Sequence, residues 1–508
     1  MILLLLAPIA YVGNNACAAC HPAIYRSYSQ TPMAQSSGAV GGKLPPGRFR
    51  HAPSSLVYRL LMQDGRAFLR YERPGDRTTS GRQELHYFLG SAAAGRSYLL
   101  AIDRFLYQAP VTYYSQKKIW DVSPGYEDDR RMRMNRPVEP GCLSCHASQL
   151  QPIYGTQNRY ADPPFLQAGI GCERCHGPGG EHAKGDGGMV NPAKLAPQRR
   201  DAICAQCHLS GEARIERPDR KLSHYRPGEL LSDFVAYFVY EGATESGLKA
   251  TGHVEKLARS QCRQRSGDRL WCGSCHDPHA VPRPEERVKY YADRCLACHQ
   301  PHRTPSGVDC AGCHMPRAQV EGVFHGVLTD HSIPRRLAPS NTASPGGRRL
   351  VPFGAQSVDA RALGLAYAEV SSESGEAFRL LTEALPSHSR DAELLTRLAY
   401  LNQQRGDLDR AASLYEAALR EEPHRVAAAV NLGSICAGRG QLDRAISLWQ
   451  DALRRNPALS EAAINLGLAL RSKGEQAAAA ETLRELLRFD PDLPRAKKLL
   501  AQMGLPRR

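Results

Sequence analysis

GCERCHGPGGEH (residues 171–182) carries the pattern on which this chain turns: two cysteines two residues apart, a histidine directly after the second, and another histidine six positions on. The Cys-x-x-Cys-His unit recurs at 17–21, 142–146, 172–176, 204–208, 272–276, 295–299 and 310–314, seven copies that use fourteen of the 16 cysteines. Composition alone would supply on the order of 0.02 copies. In this unit the two thiols form thioethers to a porphyrin, and the histidine gives its iron one axial ligand. Zinc also uses Cys-x-x-Cys pairs, but nothing in tetrahedral zinc chemistry requires a histidine after every pair. The sequence therefore predicts seven covalently bound haem c. Their attachment points are Cys17, Cys20, Cys142, Cys145, Cys172, Cys175, Cys204, Cys207, Cys272, Cys275, Cys295, Cys298, Cys310 and Cys313. The proximal ligands are His21, His146, His176, His208, His276, His299 and His314.

What fills the sixth iron position decides function: a second strong ligand makes an electron carrier, and an open position permits small-molecule chemistry. Eleven further histidines exist; His388 and His424 fall outside the motif-bearing part and are read as surface residues. Of the rest, His279 in CHDPH and His302 in CHQPH stand three residues after a proximal histidine. Each lies on the same side of its own porphyrin, so it is expected to reach a neighbouring haem. His182 follows the same logic, with glycines permitting the tight turn. His325 and His331 form a return segment, His253 opens a helix, and His51 is assigned to haem 1 or 2. His86 and His224 rank last and are left out of the ligand set, with Met33 and Met315 as soft alternatives. Of the two leftover cysteines, Cys436 reads as a buried small hydrophobe and Cys262 as structural.

The formal charge of +15 sits almost wholly in residues 1–358, which carry +14. Seven haems bring about fourteen propionates to that same half, so the excess is internal compensation. No aromatic-interleaved basic cluster supports nucleic-acid binding. MILLLLAPIA (1–10) has the length of a signal-peptide apolar core and is too short to span a bilayer. It is read as a signal-peptide remnant of an exported bacterial protein, periplasmic or extracellular and not membrane-spanning.

Between the first two motifs lie about 120 residues that alternate like strands. LVYRLLMQDGRAFLRYE (56–72) pivots on Asp64-Gly65, a hairpin signal, and 97–122 reads as a second β pair. A small β subdomain (44–125) is thus expected inside a cytochrome domain (11–333) that is otherwise irregular with short helices. Residues 334–355 read as a linker. Beyond it, Pro423, Pro457 and Pro491 fall 34 apart, as do Gly406, Gly440 and Gly474, and Ala411, Ala445 and Ala479. That period marks an all-α tetratricopeptide solenoid over 356–508. Such repeats usually dock proteins, so removing 353–508 is expected to leave haem content intact.

GCERCHGPGGEH, CHDPH (275–279) and the CHMPR ending (313–317) together resemble the multihaem cytochromes c related to hydroxylamine oxidoreductase and the nitrification tetrahaem cytochromes. The resemblance implies parallel and perpendicular haem pairs, mostly with two histidine ligands, and includes some oxidoreductases of nitrogen or sulfur compounds. The Cys-x-x-Cys-Lys motif of pentahaem nitrite reductases is missing here. The leading reading is an electron carrier whose redox partners dock at exposed haem edges or in the repeat groove. One alternative is a nitrogen- or sulfur-compound oxidoreductase with one open-site haem. Another is a self-assembling protomer of a conductive filament.

Overall fold

The computed structural model describes residues 10–42, 44–242, 249, 251–300, 309–320, 325–335, 349–354, 357–371 and 374–504. Two antiparallel sheets occupy the long interval between the first two motifs. The four-stranded sheet runs Gly47–His51, Leu56–Gln63, Arg66–Arg73, Asp76–Leu85 in spatial order. The five-stranded sheet runs Ser37–Ala39, Tyr87–Leu89, Arg96–Ile102, Phe105–Tyr114, Ile119–Val122. Alternation sends Tyr58, Leu60, Leu69 and Tyr71 inward to meet Tyr98, Leu100, Val111 and Trp120 of the second sheet. Asp64 and Gly65 carry the first hairpin with φ of 52° and 73°, the paired positive angles of the turn that matches strand twist.

The outer face of the four-stranded sheet carries an unusual row. Arg48 faces Arg59, Arg59 faces Arg70, and Arg70 faces Arg82 across successive strands, and all four are exposed. Like charges directly opposite destabilise a sheet. Glu72 relieves Arg59 at 3.0 Å, and the Phe68 ring lies 3.5 Å from the Arg82 guanidinium. Arg70→Thr is expected to stabilise the protein by about 0.2–1 kcal/mol, more at low salt. A urea midpoint that falls, or that shifts equally at all salt concentrations, would contradict this account.

The C-terminal part is four antiparallel helix pairs: Ala360–Val370 with Gly375–Ala384, Ala392–Gln404 with Leu408–Glu421, Val426–Gly438 with Leu442–Arg455, and Ser460–Ser472 with Gln476–Phe489. A last helix, Pro494–Gln502, covers the end. Gly406, Gly440 and Gly474 take φ of 83°, 77° and 83° at the turns within pairs, where a side chain would be strained. At Gly433 a Cβ would sit 2.6 Å from the Trp449 indole, so glycine lets that ring pack directly on the partner helix.

The solenoid is not a free appendage. Strands Ala213–Glu216, Val235–Tyr240 and Leu350–Pro352 form a three-stranded sheet against the first repeat helix. The third of these lies inside 334–355, the stretch that composition marks as linker. Ala213, Ile215, Ala236, Phe238 and Leu350 share one continuous core with the repeat helices. Arg361 clamps the junction, bonding Asp391 and donating to the Glu216 carbonyl at 2.8 Å. At the other end, Phe489 packs against Ile102, Phe105 and Tyr107 of the β insert, with Tyr107 and Phe489 ring centroids 5.2 Å apart. Around it Met134 N donates to Phe489 O at 2.7 Å, Tyr107 Oη donates to Asn456 at 3.1 Å, and Arg131 meets the fully buried Asp490 carboxylate at 2.8 Å.

Candidate haem-binding sites

Short helices present the thiol pairs one turn apart: Gly13–Cys20, Pro197–His208, Cys272–Cys275 and Cys310–His314 each hold both cysteines of a motif. None of the sixteen cysteines is in a disulfide. Thiols of different motifs lie beside one another. The Cys17 thiol lies beside that of Cys172, Cys145 beside Cys207, Cys204 beside Cys272, and Cys295 beside Cys310. The charges of Cys175 and Cys204 would repel one another, as would those of Cys275 and Cys298, so the seven motifs join one branched cluster in which the fourth neighbours the second, third and fifth.

Buried carboxylates set these motifs against one another. Glu173, a variable position of the third motif, is buried, and its carboxylate accepts from the backbone N of Val12, Gly13 and Gly179 at 2.8–2.9 Å. Asn14 accepts from Cys172 N at 2.9 Å, so motifs one and three are locked as a pair. Glu255 accepts from Ser210 N and Gly211 N, fixing the helix His253–Arg259 against the fourth motif. Sequence reading missed both glutamates. A lone carboxylate inside a motif has no periodic signal, and only burial reveals its role.

The histidines come together in a way that fits axial ligation. Metal–imidazole bonds are ~2.0 Å, so two imidazoles on opposite faces of one iron place their ring centroids about 6 Å apart. His21 and His182 stack at 6.3 Å and 8°, His176 and His279 at 5.8 Å and 12°, and His276 and His331 stand 6.2 Å apart at 32°. His208 and His253 approach to 5.2 Å at 84°, and His253 also meets His331 at 4.8 Å. The Nδ1 atoms of His176, His182, His314 and His331 donate to the carbonyls of Val190, Gly187, Pro334 and Thr329 at 2.8–3.1 Å. That bond selects the tautomer in which Nε2 carries the metal-binding lone pair. Burial holds His146, His208, His276, His279 and His331 below the usual histidine range, and it pushes His253 down to about 3, where protonated His331 and His208 would repel a further charge. These imidazoles are neutral, the form that ligates iron.

Two expected ligands are corrected. His51 is buried in the β insert, with Nδ1 bonded to Ser54 Oγ and Nε2 bonded to Glu127 O, both at 2.8 Å. A nitrogen facing a carbonyl must carry its proton, so His51 Nε2 offers no lone pair. His325 Nε2 lies 2.7 Å from the Asp121 carboxylate and Nδ1 lies 3.2 Å from Lys117 Nζ, so both nitrogens are again engaged. Local spacing could not show either partner, because both come from the β insert. His302 lies outside the described residues. Cys436 is buried in the second full repeat, and Cys262 Sγ stands 4.0 Å from His299 Nε2.

Residues 114–177 match the cytochrome c554 and c-prime family, and residues 396–448 and 437–494 match the tetratricopeptide repeat family. The chain is a multihaem c-type cytochrome fused to a C-terminal tetratricopeptide domain. Among curated proteins it is similar to the multiheme cytochrome MtrA of Shewanella baltica (strain OS185), 26% identical over 159 residues. That match covers 27% of this chain and 45% of the relative, so the chain spans less than half the relative's length. Similar solved structures include a MamA protein (20% identity, TM-score 0.24, 29% of this chain and 76% of that one). A tetratricopeptide repeat protein from Parabacteroides merdae also matches (22% identity, TM-score 0.24, 25% and 52%). Among the described residues no helix is long and apolar enough to cross a membrane.

Proposed function

We propose that this protein is an exported, periplasmic heptahaem electron carrier, with its repeat domain positioning redox partners. The observation that carries this reading is the opposed imidazole pairs. His21 with His182, His176 with His279, His208 with His253, and His276 with His331 each bring a proximal histidine against one supplied by a distant segment. Bound haem supplies reversible one-electron chemistry. The chain's own residues hold neutral imidazoles in place, fix tautomers through backbone carbonyls, and at these four pairs close the sixth position to substrate. The joining of all seven motifs in one branched cluster supports transfer between haems rather than turnover at one centre. Similarity to a multihaem cytochrome of the MtrA type supports the location.

The test is an electron paramagnetic resonance spectrum of the oxidised protein, integrated against haem content. Low-spin signals accounting for every iron are expected. One reproducible high-spin iron that shifts with nitrite or hydroxylamine would replace this reading with the oxidoreductase. His182→Ala and His279→Ala are each expected to turn one low-spin haem high-spin at unchanged haem content, and unchanged spectra would remove that assignment.

A further inference from the structure

Opposite His299 stands sulfur. Four other motif histidines, His21, His176, His208 and His276, face a second imidazole; here Nε2 faces the Cys262 thiol at 4.0 Å. A thiol alone would mean little. What singles this one out is the atom it faces, because Nε2 of a Cys-x-x-Cys-His histidine is the iron-binding atom. A metal–sulfur bond is ~2.3 Å and a metal–imidazole bond ~2.0 Å, so ligand atoms trans across one ion stand about 4.3 Å apart. The observed separation comes within a few tenths of an ångström of that span.

Two independently anchored elements create the juxtaposition. Cys262 lies in the short helix Gln261–Ser266, N-capped by the fully buried Ser260, whose hydroxyl accepts from Arg263 N at 3.1 Å. Arg263 pins the same helix to Asp201 at 3.0 Å and to the Leu270 carbonyl. His299 follows the helix Arg287–Leu296, with its N–H donated to Cys295 O at 3.0 Å. Cys262 is not in a disulfide, and it is the one cysteine of the cytochrome part that no haem motif uses.

We propose that Cys262 is the distal ligand of the haem attached at Cys295 and Cys298, giving one His/thiolate centre in a chain of His/His centres. The proposal rests on haem attachment at 295–299 but not on the electron-carrier reading. An anionic sulfur donor stabilises the oxidised iron more than neutral imidazole does. This haem should therefore have the lowest potential in the chain, a point that holds back electrons rather than passing them evenly.

The experiment compares the oxidised holoprotein with three variants by electron paramagnetic resonance and near-infrared magnetic circular dichroism. The wild type is expected to show one low-spin iron with the narrow g-spread and charge-transfer band of thiolate ligation. Cys262→Met is expected to remove that signature, keep the haem count, and raise one reduction potential, because a Met/His pair favours the reduced iron. Cys436→Ala, which alters the other non-motif cysteine, should leave the signature in place. The double variant Cys295→Ser/Cys298→Ser should lose one haem by mass together with the signature. A wild type with only His/His signals overturns the ligand assignment. An unchanged haem mass in the double variant overturns haem attachment at this motif instead, so the two failures are distinguishable. A Cys262→Met protein that fails to accumulate leaves the wild-type spectrum and the double variant to decide.

Discussion

Removing residues 353–508 is expected to abolish haem-loaded cytochrome rather than to yield a smaller one. Conventional reasoning about a repeat domain after a linker points the other way, to intact haem content with impaired docking. The packing reverses it. Without the repeats, Ile215, Phe238, Leu350 and Tyr107 lose the surfaces that bury them. Exposing a large apolar side chain costs about 1.5–3 kcal/mol, so these four together forfeit about 6–12 kcal/mol. Domain stability is typically about 5–15 kcal/mol in total. The strand Ala213–Glu216 would also have to hold its place with the first repeat helix gone from its face. Haem per polypeptide, measured on material exported from the same expression host, checks this. A truncated protein carrying the full haem complement would show that the cytochrome half folds by itself.

Phe489→Ala should separate the two halves without deleting either. Its ring is fully buried at the far docking point, against Tyr107, Ile102, Phe105 and Ala458. Truncating a buried Phe costs about 3–5 kcal/mol, and here the loss falls on the contact between the halves. In the native protein, helix content and haem absorbance are expected to report one urea transition. In the variant they should split, with the haem part unfolding first. Leu408→Ala, on the exposed surface of the solenoid, is the control and should change stability by no more than ~0.5 kcal/mol. Coincident transitions in Phe489→Ala would mean that the junction at Arg361 and Leu350 alone couples the halves.

Some features were legible in the residues because their signals are local. Two thiols and a histidine within five residues need no fold to be recognised, and a 34-residue period announces a solenoid through its turn glycines and close-packing alanines. Asp64-Gly65 is of the same kind, since a two-residue turn is chosen by its own backbone angles. Cys436 followed from its place in a repeat. The histidines divide by the same rule. His182 and His279 were nominated by spacing from a motif, His253 as the start of a helix and His331 as part of a return segment, and each lies against a motif histidine. His51 had no such local tie, and its ring is consumed by Ser54 and Glu127.

By itself, then, the sequence determined that this protein attaches haem c at a run of Cys-x-x-Cys-His sites and ends in tetratricopeptide repeats. Both follow from short-range covalent and helical geometry. Tertiary structure alone decided which imidazole opposes which, that Glu173 locks the first and third motifs together, and that Glu255 fixes the His253 helix beside the fourth. It also set the Cys262 thiol before His299 and packed both ends of the repeat domain against the cytochrome part. Each of these is a meeting of segments tens to hundreds of residues apart. Such meetings are settled by burial and hydrogen-bond satisfaction over the whole fold, and no local pattern encodes them.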